Sequence, residues 1–216
     1  MIERIFEMSS MNSKLLLSYF PAITALQLEK LEQYHFHLSE WNKKINLISE
    51  NDLSDFTLKH LLPSLSVLKC MKLHDGMNVL DVGTGGGLPG IPLAIMLNQL
   101  NFMLIDSTGK KVNAVTDIAE KLNLKNVKVL KRRGEDLTGK FHLILTRAAL
   151  KINDSIVWLR KLVDNEGSSF FKSRIIYFKG GNLNDELKNI KYRFKILHLS
   201  NYYQEDYFNE KMLVCF

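Results

Sequence analysis

One glycine- and proline-rich stretch, residues 79–92, most constrains what this chain can fold into. A short aliphatic run ends at Asp81, and a turn with five glycines follows before an apolar segment begins. This order is typical of a strand, a tight turn and the start of a helix. Glycines let the backbone approach a ligand closely, and the free N–H groups at a helix start favour polar or anionic groups. The stretch therefore predicts a nucleotide-like cofactor site.

The glycines fit two patterns. Gly85, Gly87 and Gly90 fit the dinucleotide pattern G-x-G-x-x-G, which would make NAD the cofactor. Asp81, Gly83, Gly85 and Gly87 fit acidic-x-G-x-G-x-G, the first motif of the S-adenosylmethionine-dependent methyltransferases, which this stretch resembles. The acidic residue at the strand end favours the second pattern. That resemblance implies S-adenosyl-L-methionine as cofactor, with Asp81 helping to hold its methionine end, often through water.

A second acidic residue, Asp106, ends the predicted strand 101–105. Its spacing from the glycine turn is that of the carboxylate that accepts ribose hydroxyls in doubly wound folds. Asp106 can also cap the helix that follows it, and the two roles can coexist.

Several blocks of the chain match one family in family order. They are 41–48 (WNKKINLI), 83–94 (GTGGGLPGIPLA), 104–111 (LIDSTGKK), 133–136 (RGED) and 146–148 (TRA). The chain thus resembles the bacterial small-subunit (16S) ribosomal RNA guanine-N7 methyltransferases, also called the glucose-inhibited division protein B family. The resemblance implies a Rossmann-like class I α/β methyltransferase fold: a seven-stranded, mainly parallel sheet with helices on both faces and an N-terminal helical extension.

The resemblance also implies the cofactor-binding residues. They are Asp81, Gly83, Gly85, Gly87, Leu88, Asp106, Gly134, Glu135 and Arg147. Gly134 and Glu135 take the adenine position, where a glycine leaves room for the flat ring. Arg147 ends the predicted fourth strand, so it faces the cofactor–substrate crevice if the sheet is parallel. We expect it to position substrate or cofactor, with a structural salt bridge as the alternative.

Basic residues near these motifs are candidates for contacts to the RNA. They are Lys110, Lys111, Arg132, Arg133 and Lys179. Lys110 and Lys111 fall in the first turn of a predicted helix, where the helix dipole disfavours cations. Two lysines at this place indicate either contacts to phosphates or side chains that are simply solvated. The net charge of +6 is compatible with RNA but common among proteins that bind none.

The first part of the chain has a helical pattern. We expect residues 1–70 to form a helical extension packed on the core, and residues 71–216 to form the methyltransferase domain. In the predicted helix 23–45, one face carries Leu31, Tyr34, Leu38, Trp41 and Ile45, and Glu32 lies on the solvent face. A second helical stretch, 52–70, is interrupted near Pro63, where the family has an acidic residue. His60 either faces the substrate or is structural.

Other chemistry is not indicated. Guanine N7 carries a lone pair and no proton, so methyl transfer needs no general base, and no triad or metal-ligand cluster is visible. Cys70 and Cys215 are far apart in sequence and are expected to be buried thiols. No apolar run of membrane-spanning length or signal peptide is present, so we expect a cytoplasmic monomer. The alternatives are a methyltransferase for another RNA or a small molecule, and a non-catalytic RNA-binding protein.

Overall fold

A seven-stranded sheet forms the centre of the protein. The computed structural model describes residues 11–164 and 174–216. The strands are β1 (Asn78–Val82), β2 (Asn101–Asp106), β3 (Val127–Lys131), β4 (Leu143–Arg147), β5 (Ile175–Gly180), β6 (Lys195–His198) and β7 (Lys211–Cys215). Their order across the sheet is β3-β2-β1-β4-β5-β7-β6.

Strands β1 to β5 pair in parallel, and β7 inserts antiparallel between β5 and β6. Parallel neighbours need a crossover connection, which the helices between the strands supply. The carboxyl ends of β1, β2 and β4 therefore meet at one edge of the sheet. The predicted seven-stranded, mainly parallel sheet is confirmed.

Helices surround the sheet and form the N-terminal part. They are α1 (Ser13–Tyr19), α2 (Ala25–Asn42), α3 (Glu50–Leu53), α4 (Leu62–Leu65), α5 (Val67–Cys70), α6 (Gly90–Met96), α7 (Gly109–Lys121), α8 (Ile152–Leu159) and α9 (Asn184–Leu187). A π-helix spans Thr57–Leu61, and short 3-10 turns span Gly134–Asp136, Arg160–Leu162, Leu199–Asn201 and Asp206–Phe208. Residues 1–10 of the predicted helical extension lie outside the described residues. No helix in the described part of the chain is long and apolar enough to cross a membrane.

Local chemistry sets the bounds of α2. Thr24 and Gln27 form a reciprocal capping box at its start. The predicted helix 23–45 ends earlier, at Asn42, because the Asn42 Oδ1 accepts hydrogen bonds from the backbone N–H groups of Leu47 and Ile48 and turns the chain. The interruption predicted near Pro63 is confirmed, since the π-helix ends just before it and Pro63 lies in the first turn of α4.

Two predictions about exposure are wrong. Glu32 is only 5% exposed, because α1 covers it and the Ser13 Oγ donates a 2.8 Å hydrogen bond to its Oε1. Cys70 is half-buried at the end of α5, whereas Cys215 on β7 is buried as expected.

Apolar side chains pack on both faces of the sheet. Along β1, Val79 belongs to the cluster that includes the N-terminal helices, and Leu80 belongs to the cluster on the other face. This alternation is what the two-residue period of a strand requires. The N-terminal helices therefore share one hydrophobic core with the sheet, and a domain boundary at residue 70 stays a prediction.

Candidate cofactor and RNA site

A cleft of about 660 Å³ opens at the carboxyl ends of β1, β2 and β4. Its walls are the glycine turn, the ends of β2 and β4, residues 132–135, and Leu47, Ile48 and His60 from the N-terminal part. Its volume falls within the range of about 300–1,000 Å³ that is usual for sites enclosing a small ligand. The position is that of ligand sites in open α/β sheets.

The glycine turn adopts backbone conformations that other residues rarely reach. Gly83, Gly85 and Gly87 have φ angles of +71°, +58° and +96°. A Cβ on Gly83 would lie 2.2 Å from the Ala149 Cβ, and one on Gly87 would lie 2.7 Å from the Ile91 Cγ1. A Cβ on Gly85 would meet no atom closer than 4.0 Å. Gly83, Gly85 and Leu88 line the cleft, and the buried Gly87 lies behind it.

Asp81 lies beneath this turn and is fully buried. Its Oδ2 accepts hydrogen bonds from the Thr84 Oγ1 at 2.7 Å and from the backbone N–H of Gly90 at 3.0 Å. Its Oδ1 has no hydrogen-bond partner among the described residues. Burial raises the pKa of Asp81 from 3.8 to about 7, although both hydrogen bonds oppose the rise. Asp81 thus holds the turn from below and does not line the cleft.

Asp106 connects β2 to the glycine turn. Its Oδ2 accepts a 3.1 Å hydrogen bond from the backbone N–H of Gly85, and its Oδ1 accepts one from the Thr108 N–H at 2.8 Å. Thr108 precedes α7, so Asp106 also helps to start that helix. Each carboxylate oxygen keeps a second lone pair, and Asp106 lines the cleft, so it can still accept hydroxyl groups of a ligand.

Gly134 and Glu135 line the wall expected for adenine. The reason predicted for the glycine is wrong, however. A Cβ on Gly134 would lie 2.4 Å from the Trp158 Cη2 and 3.1 Å from the Val82 Cγ1. The space that Gly134 leaves is therefore filled by the indole of α8, which packs behind the cleft wall. Glu135 is exposed and directly accessible.

Tyr34 supports the site, and the sequence predicted it only as part of the buried stripe of α2. The fully buried Tyr34 hydroxyl donates a 2.9 Å hydrogen bond to the carbonyl of Gly86. A Cβ on Gly86 would lie 2.9 Å from the Leu38 Cδ1, so α2 packs directly on the glycine turn. No local pattern reveals a partner 52 residues away in the chain.

Arg147 lines the cleft and bridges β4 to the π-helix. Its Nη2 donates to the Lys59 carbonyl at 2.7 Å, and its Nη1 donates to the His60 carbonyl at 3.1 Å and to the Ser64 Oγ at 3.3 Å. These contacts hold the guanidinium in place with no salt bridge to a described residue, and they join the N-terminal part to the sheet. Arg147 therefore has a structural role alongside its place in the cleft.

His60 also lines the cleft and is held by Arg147. The Arg147 Nη2 lies 3.0 Å from the His60 Nδ1. A guanidinium can only donate, so Nδ1 is the acceptor and the proton is on Nε2, which lies 3.8 Å from the Asp52 Oδ2. Burial, followed by the charge of Arg147, lowers the pKa of His60 from 6.5 to about 3. The imidazole is therefore neutral near pH 7. It keeps its single proton on Nε2 and has no second proton to donate as a general acid.

Three of the predicted RNA-contacting cations, Lys111, Arg132 and Arg133, lie on the wall of the cleft. None of them makes an ion pair with a described residue. Lys110 is exposed but does not line the cleft. Lys179 is also away from the cleft, and its ammonium lies 2.7 Å from the Glu186 Oε2, so its charge is already balanced. Residues 11–164 and 174–216 contain no cluster of His, Cys, Asp or Glu that could hold a metal ion.

Two solved structures with a similar architecture are named as methyltransferases. The structure is similar to a SAM-dependent methyltransferase from Aquifex aeolicus, with a TM-score of 0.53, 19% identity, and coverage of 82% of this chain and 96% of the other. It is also similar to precorrin-6y C5,15-methyltransferase from Geobacter metallireducens, with a TM-score of 0.53, 13% identity, and coverage of 80% and 91%. At these identities the similarity shows the fold alone.

Sequence relatives are much closer. The chain is 41% identical to the ribosomal RNA small subunit methyltransferase G of Christiangramia forsetii, over 94% of this chain and 96% of the relative. It is 40% identical to the protein of that name from Flavobacterium johnsoniae, over 92% and 95%. The model of the GidB family, described as rRNA small subunit methyltransferase G, matches residues 27–209. The chain therefore belongs to the rRNA small subunit methyltransferase G family.

Proposed function

We propose that this protein transfers a methyl group from S-adenosyl-L-methionine to N7 of a guanine in the 16S ribosomal RNA of the small subunit. The observation that carries the proposal is the cleft at the glycine turn, found in a chain whose family is that of the small-subunit methyltransferases. Its proposed location is the cytoplasm, where bacterial ribosomes are assembled.

The residues of the cleft suit this cofactor. Gly85 leaves open space beside the turn, and Asp106 and Glu135 offer carboxylate oxygens to hydroxyl and amino groups. The unpartnered Oδ1 of Asp81 places a buried acceptor below the turn, where it can balance positive charge through an intervening water. We assign the cofactor to Gly83, Gly85, Leu88, Asp106, Gly134 and Glu135 on the wall of the cleft, with Arg147 at its edge. Asp81 and Gly87 support the glycine turn from behind.

The chemistry needs positioning more than proton transfer. The cofactor supplies a methyl group on a positively charged sulfur, so transfer to the N7 lone pair forms one C–N bond, breaks one C–S bond and moves the positive charge to the guanine. No proton has to be removed, which agrees with a neutral His60. Placement of the two reactants accounts for up to about 7–11 kcal/mol of the barrier in well-oriented reactions. The rigid walls formed by Arg147, Asp106 and the glycine turn provide that placement.

Cations at the mouth of the cleft suit the RNA backbone. Lys111, Arg132 and Arg133 line the wall without ion pairs to described residues, so their charge is available to phosphates. Replacing one cation that binds a phosphate should make the slope of log K against log[salt] shallower by about one. Lys110 is close enough in sequence to join them, and His60 faces the same space. Lys179 does not belong to this group because Glu186 neutralises it.

The test uses radiolabelled S-adenosyl-L-methionine and small ribosomal subunits that lack N7-methylguanosine. The RNA is digested afterwards and the labelled nucleoside is identified. Label in a single N7-methylguanosine supports the proposal. Turnover without RNA would indicate a small-molecule methyltransferase, saturable NADH binding would indicate a dinucleotide enzyme, and salt-sensitive RNA affinity without transfer would indicate a binding protein. Each of those three results contradicts the proposal.

A further inference from the structure

A smaller cavity of about 200 Å³ adjoins the cofactor cleft. The two share Arg147 and Ala148 at the end of β4, and the remaining walls of the smaller one come from Pro63, the end of β5, the start of β7 and the 3-10 turns that begin at Leu199 and Asp206. Its volume is below the range of about 300–1,000 Å³ found for pockets that enclose a whole small ligand. The cavity therefore suits one part of a larger ligand that reaches the cofactor from the side of β5.

An aromatic ring fixed by hydrogen bonding forms one wall. Tyr207 is half-buried, and its hydroxyl donates a 3.2 Å hydrogen bond to the Lys59 carbonyl. The same carbonyl accepts the 2.7 Å hydrogen bond from the Arg147 Nη2. The position of the ring is therefore set relative to Arg147. Phe178 and Met212, both buried, also line the cavity.

An unpaired cation lies at the same wall. The Lys211 Nζ is 4.9 Å from the centroid of the Tyr207 ring, which shows that this ring face attracts positive charge. Lys211 pairs with Gly180 in the register of β5 and β7, and a Cβ on Gly180 would lie only 3.2 Å from the Lys211 Nζ. The glycine thus leaves room for the ammonium. Lys211 makes no ion pair with a described residue, in contrast to Lys179.

We propose that this acceptor cavity, formed by Pro63, Phe178, Tyr207, Lys211 and Met212, holds the unstacked guanine that is to be methylated. The inference rests on the proposed function. Enzymes that modify a base take it out of the stack, and unstacked RNA bases are commonly held on aromatic side chains. Tyr207 stacks on the guanine ring, and the flexible Lys211 turns to donate a hydrogen bond to O6, leaving N7 free to react.

The direction of charge movement supports the stacking assignment. Methyl transfer makes the guanine ring positive, and the face of an aromatic ring is negative. A ring stacked on the base therefore stabilises the transition state more than the neutral substrate, which raises the rate of the chemical step. The ring of Tyr207 provides this stabilisation, and the hydroxyl acts only by holding the ring in place.

The test compares Tyr207→Leu, Tyr207→Phe and Lys211→Gln with a matched control, Tyr192→Leu. Tyr192 is also a half-buried tyrosine with a cation over its ring, the Arg160 guanidinium at 4.4 Å, and it lines neither cavity. We expect Tyr207→Leu to lower kcat/KM for small subunits about tenfold or more, in line with base–aromatic stacking. Tyr207→Phe, which keeps the ring but loses the bond to Lys59, should retain more activity than Tyr207→Leu. The Tyr192→Leu rate is unchanged, and all variants keep the cofactor Kd within about twofold by calorimetry, since stacking does not involve the cofactor cleft.

Placement of the base is tested directly by photo-crosslinking RNA that carries 6-thioguanosine at the methylated position. The crosslinked peptide should contain residues 207–212. Crosslinking elsewhere, or a Tyr207→Leu enzyme with wild-type kcat/KM, overturns the inference while an active wild-type protein keeps the proposed function intact. A loss of activity in Lys211→Gln alone would assign a phosphate to the cavity and would also overturn it. If Tyr207→Leu fails to fold, the crosslink decides.

Discussion

The buried carboxylate of Asp81 makes the stability of this protein depend on pH. Its pKa is raised from 3.8 to about 7 by burial, so the folded state binds its proton more tightly than the unfolded state. Between about pH 4 and pH 7 the folded state therefore holds more protons, and the free energy of unfolding falls as the pH rises. Above pH 7 the contribution is constant. The gap of about three pH units corresponds to about 4 kcal/mol.

The substitution Asp81→Asn removes the charge and keeps the shape. An amide oxygen can accept the hydrogen bonds that the Thr84 Oγ1 and the Gly90 N–H now donate to Oδ2. The amide NH2 then occupies the position of the unpartnered Oδ1, where leaving it without an acceptor costs about 1–3 kcal/mol. Near pH 8 the variant should be about 1–3 kcal/mol more stable than the wild type. Near pH 5 the gain should vanish, because the wild-type carboxyl is then largely protonated in the folded state.

Urea denaturation at both pH values measures the effect, with Asp75→Asn as the control for an exposed carboxylate. A positively charged ligand favours ionised Asp81, so cofactor affinity should rise with pH in the wild type and stay flat in the Asn variant. The assignment of a destabilising buried charge would be refuted by an Asn variant that is less stable than the wild type at pH 8 and whose free energy of unfolding depends on pH as the wild type's does.

Three further substitutions test the site. Gly85→Val should abolish cofactor binding by calorimetry, because its φ of +58° is strained for valine and the side chain would fill the open space in the cleft; wild-type affinity would move the site elsewhere. Arg147→Ala should lower the free energy of unfolding, measured by urea denaturation, by about 3 kcal/mol, since several hydrogen bonds from a charged group are removed. It should also lower the rate of methyl transfer. An unchanged transfer rate in the folded fraction would show that Arg147 is purely structural. Gly134→Ala should lower stability by about 1–3 kcal/mol through the clash with Trp158, and a neutral result would show that the indole can move away.

The place of the glycine turn and of Asp106 in the cleft could be predicted, because both belong to one continuous stretch, residues 79–106. The conformations of Gly83, Gly85 and Gly87 agree with this, since all three have positive φ. The roles of the turn and of Asp106 in binding a cofactor stay predictions. The resemblance to the family, and not a local pattern, predicts the seven-stranded, mainly parallel sheet.

Contacts between distant segments could not be predicted. The sequence predicts that Gly134 leaves space for a ligand, yet Trp158, which fills that space, belongs to a helix that starts 18 residues later. Glu32 fits the solvent face of α2 by its spacing, yet α1 covers it. The support that Tyr34 gives to Gly86 depends on how α2 packs against the sheet. Each error concerns which helix or strand packs against a residue, and the spacing of apolar residues along the sequence carries no information about that.

The carbonyl of Lys59 joins three parts of the fold. Pro63 has no N–H and comes shortly after the π-helix, in which the Leu62 N–H bonds to the Thr57 carbonyl five residues earlier. Within that helix, the Lys59 carbonyl accepts hydrogen bonds from the Arg147 Nη2 and the Tyr207 hydroxyl. One acceptor therefore holds two side chains at the point where the N-terminal helices, β4 and the chain before β7 meet, and these side chains line the cofactor cleft and the acceptor cavity.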